Sequence, residues 1–254
     1  MSLETLARRD RLVTALGLVG LGGLAWLHVA HMALGMDRGA GVGVPLSAAW
    51  SPREVALTFV MWVVMMAAMM VPAAGPMILA FATINRRQAP GAGPPVPTGI
   101  FLVGYLAVWA GFSLVATLGQ WALTWAALLS PVTLSVTPVV GSLLLLAAGG
   151  YQFTPLKARC LARCQSPIGF ILSEWREGPR GALVMGLRHG AFCVGCCWVL
   201  MALLFAAGVM NLFWIAAIAA LVLLEKLSPA PRAMSWGAGA LLLAWGGWLL
   251  LHAL

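Results

Sequence analysis

The chain has 254 residues, of which 62% are hydrophobic and only 9% charged, and its mean hydropathy is +0.96. An ordinary soluble domain carries about 25% charged residues, so a soluble fold of this size would lack the polar side chains to cover its surface. The net charge of +8 would suggest a nucleic-acid partner in a soluble protein. Here the basic residues follow the pattern of membrane topology, and no nucleic-acid partner is needed to explain them.

The apolar runs predict an all-α fold, a polytopic bundle of about seven transmembrane helices in a single integral membrane domain covering residues 1–254. A spanning helix needs about 20 residues, within a range of about 17–25. The fourth and sixth runs are shorter, so six spans is the alternative. The predicted spans are residues 12–34, 55–82, 99–129, 138–153, 182–207, 212–224 and 233–253.

The basic residues predict the orientation of these spans. Of the 15 Lys and Arg residues, thirteen fall on one side of a seven-span arrangement, and only Arg38 and Arg53 fall on the other. Because cytoplasmic loops carry the excess of positive charge, the N-terminus is predicted inside and the C-terminus outside. The predicted location is an inner (cytoplasmic) membrane, with membrane lipid as the surrounding partner.

The outer end of the first span carries His28, His31 and Met32. His28 and Met32 are four residues apart and therefore neighbours on a helix. Imidazole and thioether side chains together indicate an outer metal entry or holding site. The alternative is that these residues pack at the membrane interface as amphipathic side chains.

The second span is rich in methionine, in the segment MWVVMMAAMMVPAAGPM. Thioethers are neutral ligands that suit copper(I) and need no deprotonation in lipid. The alternative is that methionine serves as a flexible filler between packed helices. One i,i+4 row consists of Met61, Met65 and Met69, and a neighbouring face carries Met66, Met70 and Met77.

The longest polar connection, residues 157–181, lies between the fourth and fifth predicted spans. Within it Ile168, Ile171, Leu172 and Trp175 fall on one helical face, with charged residues elsewhere. This pattern predicts a short helix that lies in the cytoplasmic interface. The alternative is an ordinary solvated loop.

All five cysteines fall within residues 160–197. Cys160 and Cys164 form a first group, spaced i,i+4. A second group, which begins at His189 and ends at Cys197, shares a helical arc of roughly 100°. Both groups are expected at the same depth on the cytoplasmic side, where they could converge on one site or remain two separate groups, and a disulfide is disfavoured in that reducing compartment. Thiolate and imidazole ligands select copper(I), zinc or an iron–sulfur cluster, whereas a lone buried cysteine packs as a small hydrophobe. The second group consists of His189, Cys193, Cys196 and Cys197.

Between residues 61 and 229 the chain resembles a bacterial family of predicted metal-binding integral membrane proteins with a Cys-Cys-Trp motif in a membrane helix. The matching segments are MWVVMMAAMMVPAAGPM, YQFTPLKARCLARCQSP, HGAFCVGCCWVLMALLFAAGVMNLFW and EKLSP. The resemblance implies metal binding by those methionine, cysteine and histidine residues named above that lie in these segments, with copper preferred over zinc or iron–sulfur. His28 and His31 lie outside the matching segments.

The sequence therefore predicts a copper(I)-binding membrane protein that acts in copper transport or in delivery to a metalloenzyme, with a metallochaperone or metalloenzyme as partner. A path of soft ligands would lead from the outer histidines through the methionines to the cysteines. One alternative is a membrane thiol–disulfide oxidoreductase that uses Cys193 and Cys196 as its CxxC, with Cys160 and Cys164 as a relay. Another is a subunit of a metal-dependent membrane oxidase.

Overall fold

A computed structural model describes residues 3–37, 50–92, 97–130 and 133–253. These residues form helices throughout, apart from short connections and one isolated antiparallel β-bridge between Leu129 and Val136. The predicted all-α class is confirmed. The helices within the described residues are α1 (Leu3–Asp37), α2 (Pro52–Ala92), α3 (Thr98–Trp125), α4 (Pro138–Tyr151), α5 (Pro155–Gln165), α6 (Pro167–Glu174), α7 (Gly178–Ala207), α8 (Leu212–Leu227) and α9 (Pro231–Ala253).

Local sequence signals set the ends of the shorter helices. Thr154 caps α5, because its hydroxyl accepts the backbone N–H of Lys157 at 3.3 Å. Asn211 caps α8, because its side-chain oxygen accepts the backbone N–H of Trp214 at 3.4 Å. Such caps satisfy N–H groups that have no partner within the helix. Gly208 ends α7 at a φ of +93°, a backbone conformation that favours glycine.

Glycines allow α3 and α7 to pack with their backbones in contact. A Cβ placed on Gly186 would overlap the carbonyl oxygen of Phe101, and one on Gly190 would lie 2.9 Å from the Cβ of Val108. Small residues allow this close approach between membrane helices. Since residue numbers rise together along the two helices, α3 and α7 run parallel.

The short helix α4 runs antiparallel to α7. Gly141, near the start of α4, faces Ala206 near the end of α7. Tyr151, the last residue of α4, donates its hydroxyl hydrogen bond to the carbonyl oxygen of Gly195 in the middle of α7. Helix α4 therefore spans only the half of α7 that follows Gly195.

Helices α4 and α9 are also antiparallel. Gly246, near the end of α9, packs on Leu145, whereas Gly239 packs on Gln152 just beyond α4. Because α4 is antiparallel to both neighbours, α7 and α9 run in the same direction. The rest of the bundle is a chain of neighbours in which α1 packs on α2, α2 on α3, and α5 on α7.

Five helices among the described residues are long and apolar enough to cross a membrane, and six if the bent pair of α4 and α5, which differ in direction by 67°, counts as one span. Helix α8, with 16 residues, corresponds to the sixth predicted run. The count of seven and the orientation stay predictions. Large apolar side chains on the outer surface, such as Leu16, Val115 and Leu251, fit contact with lipid. The five helices contain the segments Arg11–Gly35, Pro52–Arg86, Thr98–Trp125, Gly178–Ala207 and Pro231–Ala253.

The connection between the fourth and fifth predicted spans is helical, since it contains α5 and α6. The single apolar face predicted for it is divided in the structure. Ile168 and Leu172 of α6 are exposed, while Ile171 is buried in the core. Trp175 follows α6 and packs on Phe81 of α2, with ring centroids 6.0 Å apart. Part of this face therefore anchors α6 to the bundle, and its position in a membrane interface stays a prediction.

Candidate metal centre

Three helix ends meet at the middle of α7. The hydroxyl of Tyr151, at the end of α4, reaches the backbone of Gly195. Near the end of α8, Lys226 places its Nζ 2.9 Å from the Sγ of Cys193. Gln165, the last residue of α5, donates a hydrogen bond to the carbonyl oxygen of Glu225 in α8. Helices α4 and α8 are short because they stop at this level, where α5 crosses beside α7.

The structure brings the two predicted cysteine groups together at this point. The thiol of Cys164 lies near those of Cys193 and Cys196. Cys160 lies beside Gly195, since a Cβ on that glycine would be 2.8 Å from the Cys160 sulfur. All five cysteines are free and buried. Sequence spacing predicts which thiols share a face of one helix. The packing of α5 on α7 is what makes the two groups adjacent.

The thiols of α7 are held by the helix backbone. Cys196 donates to the carbonyl oxygen of Cys193 at 3.1 Å, and Cys197 donates to the same oxygen at 2.9 Å. Among the residues that the structure describes, no three His, Cys, Asp or Glu side chains form a group arranged to hold a metal ion. Metal binding would therefore require these thiols to turn away from the carbonyl.

Cys193 has the most polar surroundings in the cluster. The thiols of Cys164, Cys196 and Cys197 lie close to it. It also faces the Lys226 ammonium, and the hydroxyl of Tyr105 lies 3.1 Å from its sulfur. A buried ammonium is costly without a partner that carries or shares negative charge.

Lys226 is one residue of this cluster that sequence reasoning missed. The other basic residues close to the cysteines in the sequence have other partners or are exposed. Lys157 pairs with Glu225 at 2.7 Å, Arg188 pairs with Glu174, and Arg163 donates to Ser173. The signal for Lys226 was its position in EKLSP, where a charged pair closes an apolar run. Arg159, the remaining basic residue of that group, is exposed.

Tyr105 also escaped the sequence reasoning. The chain contains two tyrosines, and the hydroxyls of both reach the cysteine region. Tyr105 lies in α3, and besides approaching Cys193 its hydroxyl donates to the carbonyl oxygen of Met70 at 3.1 Å. A tyrosine buried in an apolar helix needs a hydrogen-bond partner, and that requirement was the available signal.

His189 lies one helical turn before Cys193 and is enclosed by aromatic rings. Its ring centroid is 5.5 Å from that of Tyr105 and 5.4 Å from that of Phe170. The side chain is only 1% exposed, and within the described part of the chain neither ring nitrogen has a hydrogen-bond partner. Buried polar groups are normally paired, so two unpaired nitrogens beside a thiol cluster are consistent with a ligand role.

The methionines of α2 are buried and extend to the cysteine cluster. The contact is made by Met70, whose Sδ lies 4.0 Å from the Sγ of Cys197. Soft thioether and thiol ligands from α2 and α7 therefore meet at one level of the bundle. The buried set comprises Met61, Met65, Met66, Met69, Met70 and Met77.

The residues proposed for an outer site have a different setting. His28 and His31 are exposed on α1, and Met32 is partly buried. The buried side of α1 carries Val29 and Ala33 instead. The structure does not bring these histidines into the sulfur cluster, so the outer site stays a prediction.

The chain was compared with known proteins. Residues 59–249 match the family model PpoB2, which is described as a copper chaperone. The chain belongs to this copper chaperone family. The matched region contains the five cysteines, His189, Tyr105 and Lys226, and it excludes the histidines of α1. No curated protein and no solved structure matches the chain. A copper-related role is thereby established, in agreement with the soft-ligand chemistry predicted from the sequence.

Proposed function

We propose that this protein holds copper(I) within the membrane at a sulfur site and passes it on, either across the bilayer or to a metalloenzyme. The observation that carries the proposal is the meeting of thiols from α5 and α7 with the thioether of α2 in a buried cluster beside Lys226. Thiolate and thioether ligands select copper(I), and membership of a copper chaperone family supports the same ion. The ligands of the ion are drawn from the sulfur atoms of Cys164, Cys193, Cys196, Cys197 and Met70.

Loading the site exchanges one set of contacts for another. Copper(I) binds the Cys193 sulfur, which continues to accept the hydrogen bond of the Lys226 ammonium. Cys197 gives up its hydrogen bond to the Cys193 carbonyl to reach the ion. Metal–sulfur bonds of about 2.3 Å require the ligating sulfurs to lie within roughly 4 Å of one another. Lys226 then offsets the negative charge of a site with several thiolates.

Residues around the cluster have supporting roles in this proposal. Cys160 and His189 flank the holding site and act as ligands during entry or exit of the ion. The exposed His28 and His31, with Met32, take up metal near the C-terminal end of α1. Neutral imidazole and thioether ligands do not neutralise the positive charge of the ion, so they bind it weakly enough to release it again.

The proposed setting is a bacterial inner membrane crossed seven times, with the N-terminus inside. Support comes from helix directions, since α7 and α9 run parallel and α8 must therefore return the chain between them. The excess of basic residues in the predicted inner loops supports the orientation. In this arrangement the partner is a metallochaperone or a metalloenzyme that meets the protein at the membrane.

The test is a copper(I) titration of the purified protein in detergent or nanodiscs, with reductant, without oxygen and against a chelator of known affinity. The full chain should bind copper(I) in preference to zinc, with one ion at the cysteine site. A variant with Cys193→Ser and Cys197→Ser should lose that ion. Met70→Leu should weaken binding, whereas Met234→Leu on α9 provides a matched control.

Two results would contradict the proposal. One is a full chain that binds no copper(I), and the other is a double cysteine variant that binds as well as the full chain. A Cys193–Cys196 disulfide that forms and is reduced in membranes without any bound copper would favour the thiol–disulfide oxidoreductase. Oxidation of an added substrate by dioxygen, with the copper remaining bound, would favour the oxidase subunit.

A further inference from the structure

Two rows of buried side chains lie between α2 and α7. On α2 the row consists of Trp62, Met66 and Met70, spaced four residues apart. On α7 the corresponding row consists of Cys197, Met201 and Phe205. All six side chains are buried. Residues spaced i,i+4 lie on one face of a helix, so each row forms a continuous stripe.

Contacts at both ends fix the register of the two rows. At one end the Sδ of Met70 lies 4.0 Å from the Sγ of Cys197. At the other end the rings of Trp62 and Phe205 are 5.2 Å apart between centroids. The numbers fall along α2 as they rise along α7, so the helices are antiparallel, and the same number of residues separates the two contacts on each helix.

The middle of each row is therefore opposite the middle of the other. Met66 lies four residues from both Trp62 and Met70, and Met201 lies four residues from both Cys197 and Phe205. Four residues of α-helix rise about 6 Å. The two thioethers thus occupy the level one helical turn away from the Met70–Cys197 contact.

We propose that Met66 and Met201 form a second copper(I) site, built from thioethers alone and located one turn beyond the cysteine site toward the Trp62–Phe205 pair. This inference rests on the proposed function and deepens it, because it assigns a step through which the ion reaches or leaves the thiols. Met201 was not among the ligands predicted from the sequence. In the sequence, Met201 is one of many apolar residues in the run that forms α7.

The chemistry of the second site makes it weaker than the first. Thioethers are neutral, so a copper(I) ion held by two of them keeps its full positive charge in apolar surroundings, which is costly. The cysteine site offsets that charge with thiolates. An ion at the second site is therefore held briefly and moves to the thiols when they are free.

The far end of the rows is fixed by aromatic side chains. Trp62 donates its indole N–H to the Oε1 of Gln120 in α3 at 2.8 Å, so the ring is held in place. Aromatic faces attract cations, which lowers the cost of a positive charge next to this pair. The rows therefore run from a held aromatic pair, through the thioethers, to the cysteine cluster.

The experiment extends the copper(I) titration of the full chain beyond the first equivalent, against chelators of graded affinity. The full chain should bind a second ion more weakly than the first. Met201→Leu and Met66→Leu should each lose the second ion and keep the first. Leucine conserves volume and apolar character, and a melting temperature checks that each variant folds. Met234→Leu, the same change on α9, should bind both ions.

The two variants lie on different helices, so one tests the site if the other fails to fold. A full chain that binds only the first ion would overturn the second site and leave the proposed function standing. A second ion that persists in both methionine variants would do the same, by placing it elsewhere. A full chain that binds no ion at all would overturn the proposed function as well.

Discussion

At the scale of single residues, the charge that matters for the cysteines comes from Lys226. Its Nζ is 2.9 Å from the Sγ of Cys193, and both side chains are buried. Hydrogen bonds to charged groups contribute about 1.5–3 kcal/mol, which corresponds to roughly a tenfold to hundredfold change in affinity. We expect Lys226→Met to weaken copper(I) binding by a factor in this range, measured by chelator competition.

Two further variants serve as controls for that measurement. Lys226→Arg keeps the charge and should retain most of the affinity for copper(I). Arg232→Met removes an exposed basic residue of α9 and should leave that affinity unchanged. Tighter binding by Lys226→Met would contradict the prediction, because the ammonium would then act as a competitor of the metal at Cys193.

His189 gives a second prediction at this scale. Because neither ring nitrogen has a partner among the described residues, replacing the ring with Phe breaks no hydrogen bond and keeps the contacts with Tyr105 and Phe170. We expect His189→Phe to fold with an unchanged or higher melting temperature while copper(I) exchange becomes slower. An unchanged exchange rate would show that the histidine is there for packing alone.

At the scale of helices, the contact of α3 with α7 has the least room for change. A Cβ at Gly186 would overlap the Phe101 carbonyl, so Gly186→Ala must push the helices apart. Overpacking costs about 1–3 kcal/mol, and the shift would draw Tyr105 away from Cys193. We expect a lower melting temperature together with weaker copper(I) binding.

The matched control is Gly111→Ala on α3, where an added Cβ meets nothing within 4 Å. Alanine favours a helix over glycine by about 1 kcal/mol, so this variant should be as stable as the parent chain or more stable. Equal melting temperatures for Gly186→Ala and Gly111→Ala would contradict the close approach.

The ion pair between α5 and α8 carries a further prediction. Lys157 and Glu225 are both buried, their charged atoms are 2.7 Å apart, and Ser235 of α9 donates to the same carboxylate. Removing one partner leaves a buried charge, at a cost of about 3–5 kcal/mol. We expect Lys157→Met to lower the melting temperature strongly, and the double variant with Glu225→Leu to recover most of the loss. Equal effects of the single and double variants would exclude this explanation.

Sequence spacing predicted features within a single helix but not the contacts between helices. Local spacing placed Cys193 and Cys197 on one face, and the apolar runs predicted the long helices, because both depend on residues a few positions apart. The partners of Cys193 come from α3 and α8, far away in sequence. Packing of α5 on α7 is equally non-local, and so is the Lys157–Glu225 pair. No periodicity within one helix indicates which neighbour it will contact.

At the scale of the whole molecule, helix directions give a topology that can be tested. Parallel α7 and α9 require α8 to reverse the chain, although α8 has only 16 residues. We expect reporter fusions to place the N-terminus in the cytoplasm and the C-terminus outside. Both termini in the cytoplasm would mean six crossings and would contradict the parallel directions of α7 and α9.

The burial of the sulfur atoms also bears on the chemical durability of the protein. Thiols and thioethers are oxidised by peroxide in proportion to their exposure, first to sulfenic acids and sulfoxides. Here the five cysteines and the methionines of α2 are all buried. Oxidants dissolved in water therefore reach them only when helices separate. The working lifetime of the protein under oxidative stress should then depend on how rarely the bundle opens, rather than on how many sulfur atoms it contains.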